Sequence, residues 1–440
     1  MTRTFARTGL TLLSLTLSQC ARQCERAPSD SSARSPDARV APLLADPARC
    51  RAEIASGSLA VPAGSGPLDA LHLTCAGPRL TAWVVRSHSL SRMSRELTSA
   101  RPWSLASVEA TAVTSLDIVR PDAVGGPLVW RAPTAAIEGL DRDEWWVLQH
   151  DPADPTGRPR RGSLALPNDI VARGSLAVVD QREGMLRVLG SYADREHMLG
   201  VTTLLEVALG RGEHARSPEH LQVLLDGELR AFAADAKVLV TVRATPTQQT
   251  ELRVARIEGD TARVLSTQTV PSQQVLVVGR GGDVAGSGTS ESAFVFAGFD
   301  RGGPGCLSLG QGLCVRPGPV QLLRVRGDQA RVVTVASSGL PDALALDRAT
   351  GRWAVLYAAP VDGQSVAQRL AWVNPEDRVE THTLHADAMP PTDRPTLVSC
   401  DDGVWFGGEV SVESPSEEGD AEAVRRESAV MAVPLSCLAQ

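Results

Sequence analysis

Short runs of apolar residues, separated by polar turns, follow one another along most of the chain. The runs are rich in Val, Leu, Thr and Trp, and Gly, Asp or Pro stands between them. Runs of roughly four to eight residues with this composition predict β-strands, and the turn residues between them predict hairpins. The clearest runs are Thr81–Arg86, Trp145–Gln149, Lys237–Val242, Ala293–Gly298, Trp353–Ala358 and Gly403–Gly408. The pattern therefore predicts an all-β protein.

These predicted strands recur at a nearly even interval. The one double-length gap, before Lys237, holds two further runs, Ser175–Asp180 and Met185–Tyr192. With that extra unit, roughly seven units repeat about every 53 residues, which is typical of a β-propeller built from four-stranded blades. Such a ring needs closing, and strands from both termini often share one blade. A pair of β-sandwiches is the alternative, but it explains the even spacing less well.

An internal repeat supports equivalent units. The sequence Gly-Asp-Thr-Ala-Arg-Val at 259–264 recurs as Gly-Asp-Gln-Ala-Arg-Val at 327–332, and each copy follows a Leu-Arg-Val run. Both copies predict a hairpin with Gly-Asp at its tight turn. One segment, 195–210, fits two interpretations. It is either a helix that ends at Gly210 or a pair of buried strands around Thr202 and Thr203.

The first twenty residues form a different kind of segment. Arg3 and Arg7 precede a compact apolar stretch at 9–17, which is too short to span a bilayer as a helix. It runs into Leu-Ser-Gln-Cys at 17–20, after which the chain turns polar. This segment resembles a bacterial lipoprotein signal, with Gln19 standing where a small residue is usual. The resemblance implies a signal peptide over 1–19, cleavage before Cys20 and lipidation of Cys20.

The lipoprotein interpretation also implies a location and an organisation. Lipid on Cys20 would hold the protein at the outer membrane or the periplasmic face of the cell envelope. Residues 20–49, rich in Ser, Pro, Ala and Arg, predict a flexible tether, and 50–440 a β-propeller-like domain. There are two alternatives. The segment is a plain secretory signal in which Cys20 is incidental, which gives a secreted protein, or the protein is cytoplasmic.

Charge argues against nucleic acid as a partner. The formal net charge is −7, and the chain contains no basic run. After the first twenty residues no uninterrupted apolar stretch approaches the ~18 residues that a membrane-spanning helix needs. The membrane contact expected from the sequence is therefore the lipid on Cys20 alone.

The cysteines predict disulfides. Apart from Cys20 and Cys24, the six others fall into three sequence-local pairs: Cys50/Cys75, Cys306/Cys314 and Cys400/Cys437. An even set in an exported protein suggests a disulfide framework, and local pairing is one of fifteen connectivities that six cysteines allow. Metal binding is the alternative, but no Cys-x-x-Cys spacing occurs.

No stretch of the sequence predicts a catalytic residue, a metal site or a cofactor. The Gly-x-Gly at 279–281 lacks the third glycine of a dinucleotide loop, because Val284 occupies that position. The two histidines of His382-Thr-Leu-His385 point to opposite faces if they lie on a strand. The run Ala345–Trp353 is similar to one repeat of quinoprotein-type propellers. That similarity implies a hairpin turn made by Asp347, Thr350 and Gly351, without the cofactor.

The function favoured by the sequence is a non-enzymatic, lipid-anchored binding or scaffolding propeller whose partner is a protein or an envelope polymer. The alternative is an exported hydrolase or lyase with its active site at the channel mouth. Residues converging on a channel from several blades leave no local motif, so the sequence leaves that alternative open.

Overall fold

Seven antiparallel sheets contain all the strands that the structure describes. The computed structural model describes residues 58–60, 68–86, 89–97, 104–110, 115–118, 128–133, 143–149, 160–164, 170–172, 177–182, 185–194, 200–208, 220–234, 236–283, 290–302, 306–308, 314–361, 365–384, 393–415 and 424–437. All of them belong to one compact unit, Leu44–Gln440. The predicted signal segment, the tether, Cys20 and Cys50 lie outside the described residues.

The first four sheets follow one another along the chain. Sheet 1 contains β2 (Leu68–Ala76), β3 (Arg79–Arg86), β4 (Ser89–Glu96) and β5 (Ser104–Ala110). Sheet 2 contains β6 (Ser115–Ile118), β7 (Leu128–Pro133), β8 (Asp143–Gln149) and β9 (Arg160–Leu164). Sheet 3 contains β10 (Ile170–Ala172), β11 (Ala177–Arg182), β12 (Met185–Asp194), β13 (Gly200–Ala208) and β14 (His220–Asp226). Sheet 4 contains β15 (Glu228–Ala233), β16 (Val238–Ala244), β17 (Thr250–Glu258) and β18 (Thr261–Val270).

The last three sheets include the one built from both ends of the domain. Sheet 5 contains β19 (Gln274–Asp283), β20 (Ser290–Arg301), β21 (Leu307–Ser308), β22 (Cys314–Pro317), β23 (Val320–Arg326) and β24 (Gln329–Ala336). Sheet 6 contains β25 (Leu340–Asp347), β26 (Arg352–Val361), β27 (Ser365–Val373) and β28 (Val379–Thr383). Sheet 7 contains β29 (Asp393–Cys400), β30 (Gly403–Pro415), β31 (Val424–Pro434) and β1 (Ser58–Ala60).

The arrangement of these sheets is that of a β-propeller. The first strands of neighbouring sheets contact each other in the order β15, β19, β25, β29, β2 and β6, so they form the inner layer. Strand β1 pairs with β31 through Ser58–Met431 and its neighbours, so the start of the domain completes the last sheet. The predicted all-β propeller and the predicted sharing of one sheet by both termini are therefore confirmed.

The evenly spaced runs of the sequence are the second strands of the sheets. Each of the six clearest runs lies in β3, β8, β16, β20, β26 or β30, and the run Met185–Tyr192 lies in β12. A second strand is flanked by strands on both sides and packs against neighbouring sheets, so it carries the most apolar sequence. The described parts of β3, β16 and β26 accordingly contain runs of buried residues.

The hydrophobic core lies between successive sheets. One cluster joins sheets 4 and 5 through Val240, Val254 and Phe294, and another joins sheets 5 and 6 through Leu322 and Trp353. Further clusters join sheets 6 and 7 and sheets 7 and 1. A four-stranded sheet buries its two faces only by packing against both neighbours, so the core is divided among the sheet interfaces.

Three arginines tie one sheet to the hairpin turn of the next. Arg187 donates to the Gly259 carbonyl and to Asp260 at 2.9 Å, and Arg256 donates to the Gly327 carbonyl and to Asp328 at 2.7 Å. The two Gly-Asp turns therefore occupy equivalent places, at the β17–β18 and β23–β24 hairpins, as predicted.

The third arginine, Arg324, belongs to a buried polar network. Arg324 donates to Glu291 at 2.6 Å, to the Asn374 carbonyl at 3.0 Å and to Asp377 at 2.5 Å. Trp353 donates its indole N–H to the same Glu291 at 3.0 Å. Burial by itself lowers the pKa of Arg324, but its bonds to Glu291 and Asp377 raise that pKa above its ordinary value. The Arg324 guanidinium therefore keeps its positive charge in the interior.

Two local predictions have clear outcomes. In the turn before β26, Thr350 donates to Asp347 at 2.6 Å and the Gly351 amide donates to the Asp347 carbonyl at 2.8 Å, which confirms the predicted hairpin turn. The segment 195–210 contains strand β13, so the helix interpretation is wrong for residues 200–208. Within the described residues, the one helical element is a 3-10 turn at Leu435–Cys437, and no helix is long and apolar enough to span a membrane.

Candidate functional site

A cleft with a volume of about 510 Å³ opens between sheets 4 and 5. It is lined by the β16–β17 turn, the β18–β19 connection and the end of β20 with the start of β22. These segments lie at the same end of the sheets, because successive strands of an antiparallel sheet alternate in direction. The cleft therefore belongs to one face of the propeller.

The β16–β17 turn forms the first wall of the cleft. The Thr245 amide donates to the Gln249 carbonyl at 2.8 Å, and the Gln248 amide donates back to the Thr245 carbonyl at 3.1 Å. The Thr245 hydroxyl also donates to the Gln249 carbonyl at 3.0 Å and accepts from the Gln249 amide at 3.2 Å. The turn is therefore closed by its own hydrogen bonds, which include those of the Thr247 hydroxyl to the Thr245 hydroxyl at 2.9 Å and to the Gln249 side-chain carbonyl at 3.4 Å. Thr247, Gln248 and Gln249 line the cleft.

Gln248 adopts a backbone conformation that glutamine rarely takes. Its φ is +58°, in the left-handed region where glycine or asparagine is usual. Holding a side chain there costs on the order of 1 kcal/mol, and such positions cluster at binding sites. This strained residue sits at the rim of the described cleft.

The β18–β19 connection forms the second wall and is tied to the first. The Gln273 amide group donates to the Gln248 side-chain carbonyl at 3.4 Å, across the cleft rim. Thr250 donates to the Ser272 carbonyl at 2.8 Å, which anchors this connection to the start of β17. Gln274 continues the polar lining toward the inner strand β19. Four glutamines thus line one opening.

The third wall carries the charges. Asp300 accepts from the Gln273 backbone amide at 3.4 Å and from Arg316 at 3.4 Å, so it is shared between two walls. Arg301 is exposed and makes no ion pair with any residue in the described ranges. Half-buried Phe299 supplies the aromatic surface at the base of this wall. The cleft therefore offers neutral amides, one balanced ion pair and one further positive charge.

A disulfide fixes the strand that carries Arg316. Cys306 and Cys314 are bonded, with Cα atoms 5.4 Å apart, as the sequence predicts. They close the small β21–β22 hairpin, in which Ser308 pairs with Cys314. Strand β22 in turn pairs Arg316 with Asp300 of β20. The bond therefore stiffens one wall of the cleft.

The remaining cysteines correct the predicted pairing. Cys75 is bonded to Cys400, with Cα atoms 5.4 Å apart and 325 residues between them. The pairings of Cys75 with Cys50 and of Cys400 with Cys437 are therefore wrong. Closure of the ring places inner strands β2 and β29 side by side, so the bond joins the first sheet to the last. Cys437 is also disulfide-bonded.

An unusual carboxyl group lies on another inner strand. The β25–β26 ladder slips between Pro341 and Ala343, which leaves Asp342 as the extra residue of a bulge. Burial raises the pKa of Asp342 to about 7. The sequence Asp-Ala-Leu-x-Leu at 342–346 also occurs at 69–73, and the β2–β3 ladder slips at the same place, around Asp69. The bulge is thus a repeated feature of inner strands.

The sequence contained a signal for the cleft that its motif analysis missed. Pro-Thr-Gln-Gln at 246–249 and Pro-Ser-Gln-Gln at 271–274 are near-copies, and they form the two facing polar walls. Tryptophan, by contrast, is a packing residue where its side chain is described: Trp353 and Trp405 are fully buried between sheets. In the described part of the chain, no group of three or more His, Cys, Asp or Glu side chains is placed to hold a metal ion.

Comparison with known proteins finds similarity in structure only. No protein-family model matches the chain, and no curated protein matches it. The β-propeller domain of the Trilobed protease from Pyrococcus furiosus is 11% identical, with a TM-score of 0.37 over 70% of this chain and 81% of that one. The β-propeller domain of Cps50 (Swd1) from Myceliophteria thermophila is 10% identical, with a TM-score of 0.40 over 80% of this chain and 95% of that one. A prolyl endopeptidase is 11% identical, with a TM-score of 0.44 over 90% of this chain and 50% of that one.

Proposed function

We propose that this protein is a non-enzymatic binding propeller, exported and held to the cell envelope through lipid on Cys20, and that the cleft between sheets 4 and 5 is its ligand site. The observation that carries the proposal is the pair of Pro-(Thr/Ser)-Gln-Gln segments facing each other across the cleft. Converging polar side chains in a concave site are the usual basis of ligand recognition.

Two further features support this proposal. Gln248 is kept in a left-handed conformation that glycine would adopt without cost, which is expected where the side chain itself is needed. The disulfides Cys75–Cys400 and Cys306–Cys314 suit the oxidising compartment that the lipoprotein-like signal implies. One of them stiffens the wall of the cleft.

The test is co-sedimentation of the purified protein with cell envelopes of the source organism, stripped of lipid so that the anchor plays no part. We expect the wild type to pellet and Gln248→Gly to stay in the supernatant. Gln248→Gly removes the amide and relieves the backbone strain, so it should fold at least as stably as the wild type. Equal pelleting of the two proteins, or failure of both to pellet, would contradict the proposal.

A second candidate function is an exported hydrolase or lyase that uses Asp342. With its pKa raised to about 7, this carboxyl group is partly protonated at neutral pH and suits a general acid. Incubation with envelope polysaccharide should then release new reducing or unsaturated ends, and Asp342→Asn should abolish the release. Absence of such products from the wild type between pH 5 and 8 would leave binding as the function.

A further inference from the structure

We infer that the cleft between sheets 4 and 5 takes a saccharide that carries a carboxylate. This inference rests on the proposed function and names the class of ligand. It follows from three properties of the cleft: the kind of polar group that lines it, the charge left over after internal pairing, and a lining with one large apolar side chain, Phe299.

The lining groups match sugar hydroxyls. Each glutamine amide offers two N–H donors and one carbonyl acceptor, and each sugar hydroxyl both donates and accepts. Gln248 and Gln273 bond to each other across the rim at 3.4 Å, and each retains donors and acceptor capacity for a ligand. The hydroxyls of Thr247 and Ser272 lie beside them in the lining. A polyhydroxylated ligand satisfies such groups more completely than an apolar one does.

The charges favour one anionic group on that ligand. Asp300 and Arg316 form an ion pair at 3.4 Å and so largely cancel each other. Arg301 is adjacent, exposed, and without an ion-pair partner in the part of the chain that the structure describes. A guanidinium binds a carboxylate through two parallel N–H donors, which gives both strength and orientation. We therefore assign Arg301 to the carboxylate and the glutamines to the hydroxyls.

A peptide ligand fits the cleft less well. Peptides are held by an open strand edge or by apolar pockets for alternate side chains. Here the only large apolar side chain in the lining is half-buried Phe299, and β20, the strand that carries it, is paired with β19 on one side and with β22 on the other. One aromatic surface among amides is instead suited to the apolar face of a sugar ring.

The test is isothermal titration calorimetry on the full chain in detergent micelles, with disulfides intact. The probes are four acidic oligosaccharides, built from galacturonate, from mannuronate, from glucuronate with N-acetylglucosamine, and from N-acetylmuramate with N-acetylglucosamine. Each is compared with its carboxyl-reduced form. We expect at least one acidic probe to bind, and its reduced form to bind about ten- to hundredfold more weakly, the factor that a charged hydrogen-bonded pair supplies.

The variants locate the binding groups. Arg301→Gln should lower the affinity for the acidic probe to that for its carboxyl-reduced form. Gln273→Ala should lower the affinity for both forms. Arg331→Gln is the matched control, because Arg331 is an exposed arginine at the opposite end of sheet 5 and should change neither affinity. Binding of no acidic probe, equal binding of a reduced form, or an equal effect of the control overturns the inference. Envelope binding that Gln248→Gly abolishes, without any saccharide binding, would overturn it and leave the proposed function standing.

Discussion

Removal of the Cys75–Cys400 disulfide should be the most destabilising cysteine change in the described part of the protein. The bond joins inner strands β2 and β29, and both cysteines are almost fully buried. Replacing both with alanine, Cys75→Ala/Cys400→Ala, removes the crosslink without leaving an unpaired polar group in the core. The packing between sheets 1 and 7 and the β1–β31 pairing remain, so the folded ring should persist.

The expected loss can be worked from the loop that the bond closes. For a separation of 325 residues, loop-closure entropy gives about 6 kcal/mol of stabilisation.

The matched control is the local disulfide. Its eight-residue separation gives about 2.5 kcal/mol, so Cys306→Ala/Cys314→Ala should cost less than half as much. With an unfolding entropy of about 2.1 cal/mol/K per residue over ~390 residues, the losses correspond to about 7 °C and 3 °C in Tm.

Differential scanning calorimetry without reductant measures both losses, and excess reductant should bring wild type and variants to the same Tm. Equal shifts for the two pairs, or no shift for Cys75→Ala/Cys400→Ala, would refute the reasoning and show that packing alone closes the ring.

Three further predictions concern other parts of the chain. Arg324→Met should cost about 3–5 kcal/mol in urea unfolding at pH 7, because the buried Glu291 carboxylate then keeps only the longer ion pair with Arg326, at 3.9 Å. Adding Glu291→Gln should recover part of the loss, and no recovery would contradict the pairing. The pKa of Asp342 in the folded protein, about 7, lies above its value in the unfolded chain, about 3.9. The buried carboxyl group therefore costs no free energy of folding below about pH 3.9. The cost grows as the pH rises to about 7 and then stays constant at roughly 4 kcal/mol. In urea unfolding, the free energy of unfolding of Asp342→Asn should therefore equal that of the wild type at pH 4 and exceed it at pH 8. Equal stability at pH 8 would show that the carboxyl group is not buried. Cys20→Ala should move the protein from the membrane fraction to the soluble exported fraction, and a soluble wild type would rule out the lipid anchor.

Much of the candidate site could have been predicted from the sequence, although no known motif pointed to it. The repeated Pro-(Thr/Ser)-Gln-Gln segments are as plain as the Gly-Asp repeat, but glutamines resemble no catalytic or metal-binding pattern. The sequence could not predict that residues 248, 273 and 301 line the same cleft. They belong to a turn, a connection between sheets and a strand end, and only the packing of sheet 4 on sheet 5 brings these together.

The sequence by itself determined the strands, their grouping and the local turns. Each second strand could be predicted because it is buried on both faces, and its sequence is therefore a continuous apolar run. The turns at 259–260, 327–328 and 347–351 were visible because their geometry depends on neighbouring residues alone. The eight-residue Cys306–Cys314 loop was predictable for the same reason.

Tertiary structure decided everything that joins distant parts of the chain. Cys75 pairs with Cys400 rather than with a near neighbour because closing the ring sets the first and last sheets side by side. Arg324 meets Glu291 because β23 pairs with β20 within sheet 5, and it reaches the turn at 374–377 because sheet 5 packs on sheet 6. Contacts of this kind depend on the angle and order in which sheets pack, and no local pattern of residues encodes them.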